Sequence, residues 1–64
     1  MQIMVNGSPT DVAAATLAAV LDELGYGGAT VATAVNEAFV PATRRNLALS
    51  PGDRLEIVAP RQGG

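Results

Sequence analysis

The first residues alternate. Met1, Ile3 and Val5 fall on one side of an extended segment and Gln2 and Met4 on the other, the period of two that predicts a strand over residues 1–5. Asn6-Gly7 follows. Both central positions of a type I′ hairpin turn need positive φ, which Asn and Gly tolerate, so the chain is expected to return as a second strand through Thr10 to about Ala14. Pro9 has no N–H for a ladder, which predicts it in the turn or at the first position of that strand. The period then changes. Thr16 suits a helix N-cap, because its hydroxyl can accept an orphan backbone N–H. Leu17, Val20, Leu21 and Leu24 recur at i, i+3, i+4 and i+7, one apolar stripe along a helix about 12 Å long. Ala18, Ala19, Asp22 and Glu23 fill its outer side, and Gly25 is placed to end it in the left-handed conformation.

Residues 26–30 read as a loop. Gly25-Tyr26-Gly27-Gly28 lacks the preceding strand and following helix of a dinucleotide fingerprint. A strand is expected over 31–35, with either Val31, Thr33 and Val35 or Ala32 and Ala34 facing inward. Asn36-Glu37 marks a turn, Phe39-Val40 a very short strand that Pro41 stops, and residues 43–49 an irregular stretch or a single helical turn. Ser50-Pro51-Gly52-Asp53 carries turn chemistry, with Pro at the second position and Gly behind it. Residues 54–59 close the pattern as a strand with Leu55 and Ile57 inward and Arg54, Glu56 and Val58 outward. Strands with one amphipathic helix predict an α+β layer pair, a mixed sheet of four to five strands with the helix packed on one face. Setting the first and last strands side by side in parallel makes that a β-grasp, the ubiquitin-like architecture. The globular domain is expected over 1–59, and 60–64 as a flexible tail ending in Gly-Gly.

Composition narrows the function. Sixty-four residues make one domain, and a chain this short buries only about 60% of its unfolded surface. With no Cys and no His, disulfides and the usual thiolate and imidazole metal ligands are absent. The apolar fraction of 48% against 16% charged residues favours a packed globule over disorder. A net charge of −2 gives no footprint for nucleic acid or an anionic membrane, and Tyr26 and Phe39 alone make no base-stacking platform. The longest apolar run, 13–21, is broken by Thr16 and is well short of the roughly 20 residues of a membrane span. The first residues lack the pattern of a signal peptide, so a cytoplasmic protein is expected.

Side-chain catalysis has little to work with. Without Cys, Lys or His there is no Ser-His-Asp arrangement and no Schiff base. Asp22 with Glu23, and Asp53 with Glu56, are carboxylate pairs, but adjacent helical positions diverge and alternate strand positions face opposite sides. They read as solvated surface charge. The chain is not expected to be an enzyme.

The tail offers a different chemistry. Five residues beyond the last strand extend up to about 17 Å. A Gly63-Gly64 end has no side chain to obstruct a narrow channel, and the α-carboxylate of Gly64 is the group best placed to be activated.

The residues resemble the ThiS family of sulfur carriers for the thiazole ring of thiamine. The resemblance rests on Ile3-Met4-Val5-Asn6-Gly7, Thr16-Leu17-Ala18, Ala34-Val35-Asn36-Glu37, Val40-Pro41, Gly52-Asp53-Arg54-Leu55-Glu56-Ile57-Val58 and Gln62-Gly63-Gly64. Each is unspecific alone; their order and spacing in so short a chain are not. Ala42 stands where members commonly carry Arg, without the aromatic shortly beyond, and Pro60-Arg61 where apolar residues are frequent.

The resemblance implies a protein cosubstrate that binds no cofactor or metal of its own. An E1-like adenylyltransferase of the ThiF type would use ATP and Mg²⁺ to adenylate the Gly64 carboxylate. A persulfide supplied through a cysteine desulfurase would leave a thiocarboxylate, and a thiazole synthase of the ThiG type would accept the sulfur. Pro60, Arg61, Gln62 and Gly63 would then be the tail residues that meet the partner, Arg61 and Gln62 making polar contacts along its channel. Val58, Phe39, Leu47 and Arg54 are candidates for a docking surface, although large apolar residues such as Phe39 and Leu47 are expected in the core and Arg44, Arg45 and Arg54 in solvent. Three other roles are compatible with the pattern: a sulfur carrier of another pathway (molybdopterin-type), a ubiquitin-like protein modifier, and a non-covalent β-grasp docking module.

Overall fold

The computed structural model describes residues 1–60. Its elements are β1 (Gln2–Val5), β2 (Ser8–Asp11), α1 (Leu17–Glu23), β3 (Ala32–Val35), β4 (Ala38–Val40), a 3₁₀ turn at Ala42–Arg44, and β5 (Arg54–Val58). The strands form one mixed sheet in the order β2-β1-β5-β3-β4, with β1 and β5 parallel and every other neighbouring pair antiparallel. This is the β-grasp arrangement that the strand pattern predicts. No helix among the described residues is long and apolar enough to cross a membrane.

The β1–β2 hairpin turns at Asn6 (φ 49°) and Gly7 (φ 85°), the pair of positive φ angles expected of the Asn-Gly sequence. Pro9 departs from expectation: it lies inside β2, opposite Met4. Register explains this. Met1 and Val12 exchange both backbone bonds, at 2.7 and 2.8 Å. Hydrogen-bonded pairs alternate in an antiparallel ladder, so Met4 and Pro9 form a non-bonded pair. The proline nitrogen therefore points away from β1 on an edge strand, where no donor is needed. The strand is also shorter than expected, ending at Asp11.

Thr16 caps α1. Its backbone is extended, and its hydroxyl accepts the Ala19 N–H at 3.3 Å. The two preceding orphan donors go elsewhere: Leu17 N–H to the Leu47 carbonyl (2.9 Å) and Ala18 N–H to that of Arg45 (2.8 Å). At the other end Gly25 (φ 94°) donates to Asp22 and Tyr26 to Leu21, the paired bonds of a Schellman motif. A helix of seven residues is unstable alone. It persists because Leu17, Val20 and Leu21 are buried against Ile3, Leu55 and Ile57 of the sheet and Val12, Val31, Val35, Val40 and Leu49 around it. On β3 and the residue before it the inward set is Val31, Thr33 and Val35, and Thr33 satisfies its buried hydroxyl by donating to the Val40 carbonyl at 2.9 Å.

Contrary to the expectation from their size, Phe39 and Leu47 do not join this core. Phe39 is 70% exposed and Leu47 42% exposed. Among the described residues α1 covers one face of the sheet only. On the edge strand β4 alternation gives Val40 to the covered side and turns Phe39 to the open one. Around Leu47 the backbone is committed to the helix start, and Leu49 fills the core instead. Arg45 is a second correction: it is half-buried, and its guanidinium donates to the Val31 carbonyl at 2.6 Å.

Candidate functional site

β5 is the central strand, and its outward residues Arg54, Glu56 and Val58 run along the open face. Across that face Ala32 lies beside Val58, and Ala34 sits between Glu56 and Phe39. Small side chains on β3 between larger ones on β4 and β5 leave a shallow groove of about 240 Å³, lined by Ala32, Thr33, Ala34, Phe39, Glu56 and Val58. A second cleft of about 360 Å³ lies over the far side of Phe39, lined by Phe39, Val40, Pro41, Arg44, Asn46 and Leu47. Phe39 is thus a ridge between two depressions.

The structure brings three of the four docking candidates together: Phe39 and Val58 share the groove, and Phe39 and Leu47 share the cleft. Arg54 lies four residues before Val58, about 13 Å along the strand. There it meets Glu37 at 3.7 Å, with both side chains largely exposed, a pairing that holds it only weakly. Pro60 is exposed. Arg61, Gln62, Gly63 and Gly64, and with them most of the expected tail, lie outside the described residues.

Two asparagines fix β5 where it meets its neighbours. Asn6 accepts the Ile57 N–H on Oδ1 (2.8 Å) and donates from Nδ2 to the Ile57 carbonyl (3.1 Å), so its side chain continues the parallel β1 ladder past Val5. Asn36 accepts the Arg54 N–H on Oδ1 (2.9 Å), and its own N–H donates to the Arg54 carbonyl (2.8 Å). Both sit at positive φ in hairpin turns. The pattern identifies them as turn residues; their second role as clamps on a strand distant in sequence has no local signal. Asn36 also donates from Nδ2 to Asp53 at 3.0 Å.

Two carboxylates are held below their ordinary range. Glu23 is lowered by the N–H groups of Ala13 and Ala14, both at 3.0 Å, and Asp53 by the Ser50 N–H and then by Asn36. Glu23 ties the helix to the loop after β2; Asp53 closes the turn that feeds β5. A native value below the unfolded one means that this stabilisation is complete above the ordinary carboxylate pKa of about 4 and is lost as pH falls through the lowered native values. Denaturant midpoints should therefore hold steady from neutral pH to about pH 5 and decline below about pH 4. A variant carrying E23Q and D53N should be less stable at neutral pH and show a shallower acid decline. Equal acid slopes in the two proteins would contradict this assignment.

The ThiS family model matches residues 3–64 of the chain. Among solved structures, the crystal structure of a thiamine biosynthesis protein (ThiS) from Geobacter metallireducens is similar, with a TM-score of 0.82 and 25% identity over the full length of both chains. No curated protein matches the chain.

Proposed function

The chain belongs to the ThiS family, and from that premise we propose that it is a sulfur carrier in the synthesis of the thiamine thiazole, with the Gly64 carboxylate as carrier site. What carries the reading is the family match itself, which runs through Gly64. The inventory of side chains supports it: with no Cys, Lys or His in the sequence, a terminal carboxylate is the natural point of acyl chemistry.

A carboxylate resists nucleophilic attack because its charge is delocalised and its oxygen is a poor leaving group. In the proposed sequence a Gly64 oxygen attacks the α-phosphorus of ATP and pyrophosphate departs, leaving an acyl-adenylate. The terminal sulfur of a persulfide then attacks the acyl carbon and AMP departs. A second thiol cleaves the resulting acyl disulfide, releasing the thiocarboxylate and leaving the two thiols joined as a disulfide. An E1-like adenylyltransferase binds the ATP and Mg²⁺, the sulfur comes through a cysteine desulfurase, and a thiazole synthase accepts it. This chain's part is presentation. Residues 60–64 enter the partner's channel, with Arg61 and Gln62 as polar contacts, while Phe39, Val58 and Leu47 supply the apolar docking surface and Arg54 meets acidic groups on the partner.

The test is reconstitution with adenylyltransferase, ATP, Mg²⁺, desulfurase and cysteine, followed by intact-protein mass spectrometry. The expected product carries one sulfur in place of one oxygen. Unchanged protein in the presence of demonstrably active partners overturns the proposal.

A further inference from the structure

The two edges of the sheet are not equivalent. On β2 the residues whose main-chain groups point outward are Pro9 and Asp11, by the alternation that Met1 and Val12 establish. Proline has no N–H and the aspartate brings a charge, so that edge is guarded against pairing. On β4 the outward residue is Phe39. Asn36 bonds Arg54 across the β3–β5 ladder, which by alternation makes Ala34 a partner of Glu56 and leaves Ala34 and Phe39 as a non-bonded pair. The two-residue turn at Asn36-Glu37, closed by Val35 and Ala38, requires the same parity. The N–H and C=O of Phe39 therefore face outward, and this one position, between Glu37 and Pro41, carries neither a charge nor a proline.

Beside this edge lies the 360 Å³ cleft, with Phe39, Pro41 and Leu47 as apolar walls. Arg44 lines it, is exposed, and makes no ion pair among the described residues. A donor–acceptor pair and a cation that have no partner among the described residues, beside an apolar recess, are together the features of a strand-addition site for an acidic segment. We propose that β4 receives an extended segment of a partner protein. One residue of that segment exchanges two backbone bonds with Phe39, an apolar side chain enters the cleft, and a flanking carboxylate meets Arg44. A second copy of the chain fits less well. β4 offers only three residues for pairing with a second β4 before Pro41, which lacks an N–H. The inference goes beyond the carrier reading and stands without it.

The probe is the capped pentapeptide acetyl-Glu-Val-Ile-Val-Glu-amide, titrated into the full-length protein and followed by amide chemical shifts. The expected result is saturable perturbation centred on Phe39, Val40 and Arg44. Methylating the peptide nitrogen of the central Ile should weaken binding about tenfold or more, as should R44E, while R44E should strengthen binding of the Lys-flanked analogue. R44E alters an exposed side chain, and an unchanged spectrum elsewhere verifies its fold. Four outcomes overturn the proposal: no saturable perturbation, perturbation confined to the Ala32–Val58 groove or to β2, indifference to N-methylation, or concentration-dependent self-association through Phe39 without peptide.

Discussion

Deleting Gly63 and Gly64 is expected to abolish sulfur loading completely while leaving the unfolding midpoint within experimental error of the parent. The two halves of this result have separate causes. Loading is lost because the activated group would have to be a carboxylate at the end of the full-length tail, and a chain ending at Gln62 cannot bring one to the same place. Stability is kept because the glycines have no side chain to contribute, and the buried apolar cluster comes from residues 3–57. A non-covalent docking module predicts a different pattern, with partner binding and function untouched by the deletion. The deletion thus separates a carrier from a module that shares its fold, a distinction that fold alone cannot make.

Replacing Asn6 with Ala should be among the most destabilising single changes, by roughly 2–4 kcal/mol. Two terms add. The Ile57 N–H and carbonyl, part-buried beside a buried side chain, lose both partners, which costs about 1–3 kcal/mol. A Cβ-bearing residue without a compensating side chain must also hold the positive φ of the turn, costing about 1–2 kcal/mol. A chain of this size has a total stability of roughly 3–10 kcal/mol, so a substantial unfolded fraction at physiological temperature follows. N6G separates the terms, because glycine accepts the φ but restores neither bond, and should lie between the parent and N6A. Chemical denaturation checks both variants. A loss below about 0.5 kcal/mol in N6A would remove the clamp from the account.

The legible parts of the fold were those with local causes. The Asn-Gly turn, the Thr16 cap, the Gly25 stop and the Ser50-Pro51-Gly52-Asp53 turn each follow from what a residue's own backbone or side chain can do nearby. The alternation in β5 identified its buried and exposed residues correctly. Long-range partners were not legible. Pro9 is tolerated inside a strand only because β2 is an edge in the right register, Arg45 is drawn in by a carbonyl fourteen residues away, and Asn6 reaches fifty-one residues to Ile57. Phe39 and Leu47 show the limit of arguing from size. Whether a large apolar residue is buried depends on whether a second layer covers its face, and among the described residues one short helix covers only one side of five strands. The same incomplete cover that defeats the core expectation produces the candidate docking surface. For the proposed carrier tail the reading rests on family resemblance, while the physics of the described residues speaks only to the strand that leads into it.

The most direct test of the central claim is the position of the sulfur. After loading, the protein should be cut by a protease on the C-terminal side of Arg54 and Arg61, and the terminal peptide fragmented in the mass spectrometer. Sulfur is predicted on the acyl carbon of Gly64 and nowhere else, appearing only when ATP is present. Sulfur attached at any other position, or a terminal peptide that stays an ordinary carboxylate while the partner enzymes are active, would contradict the account.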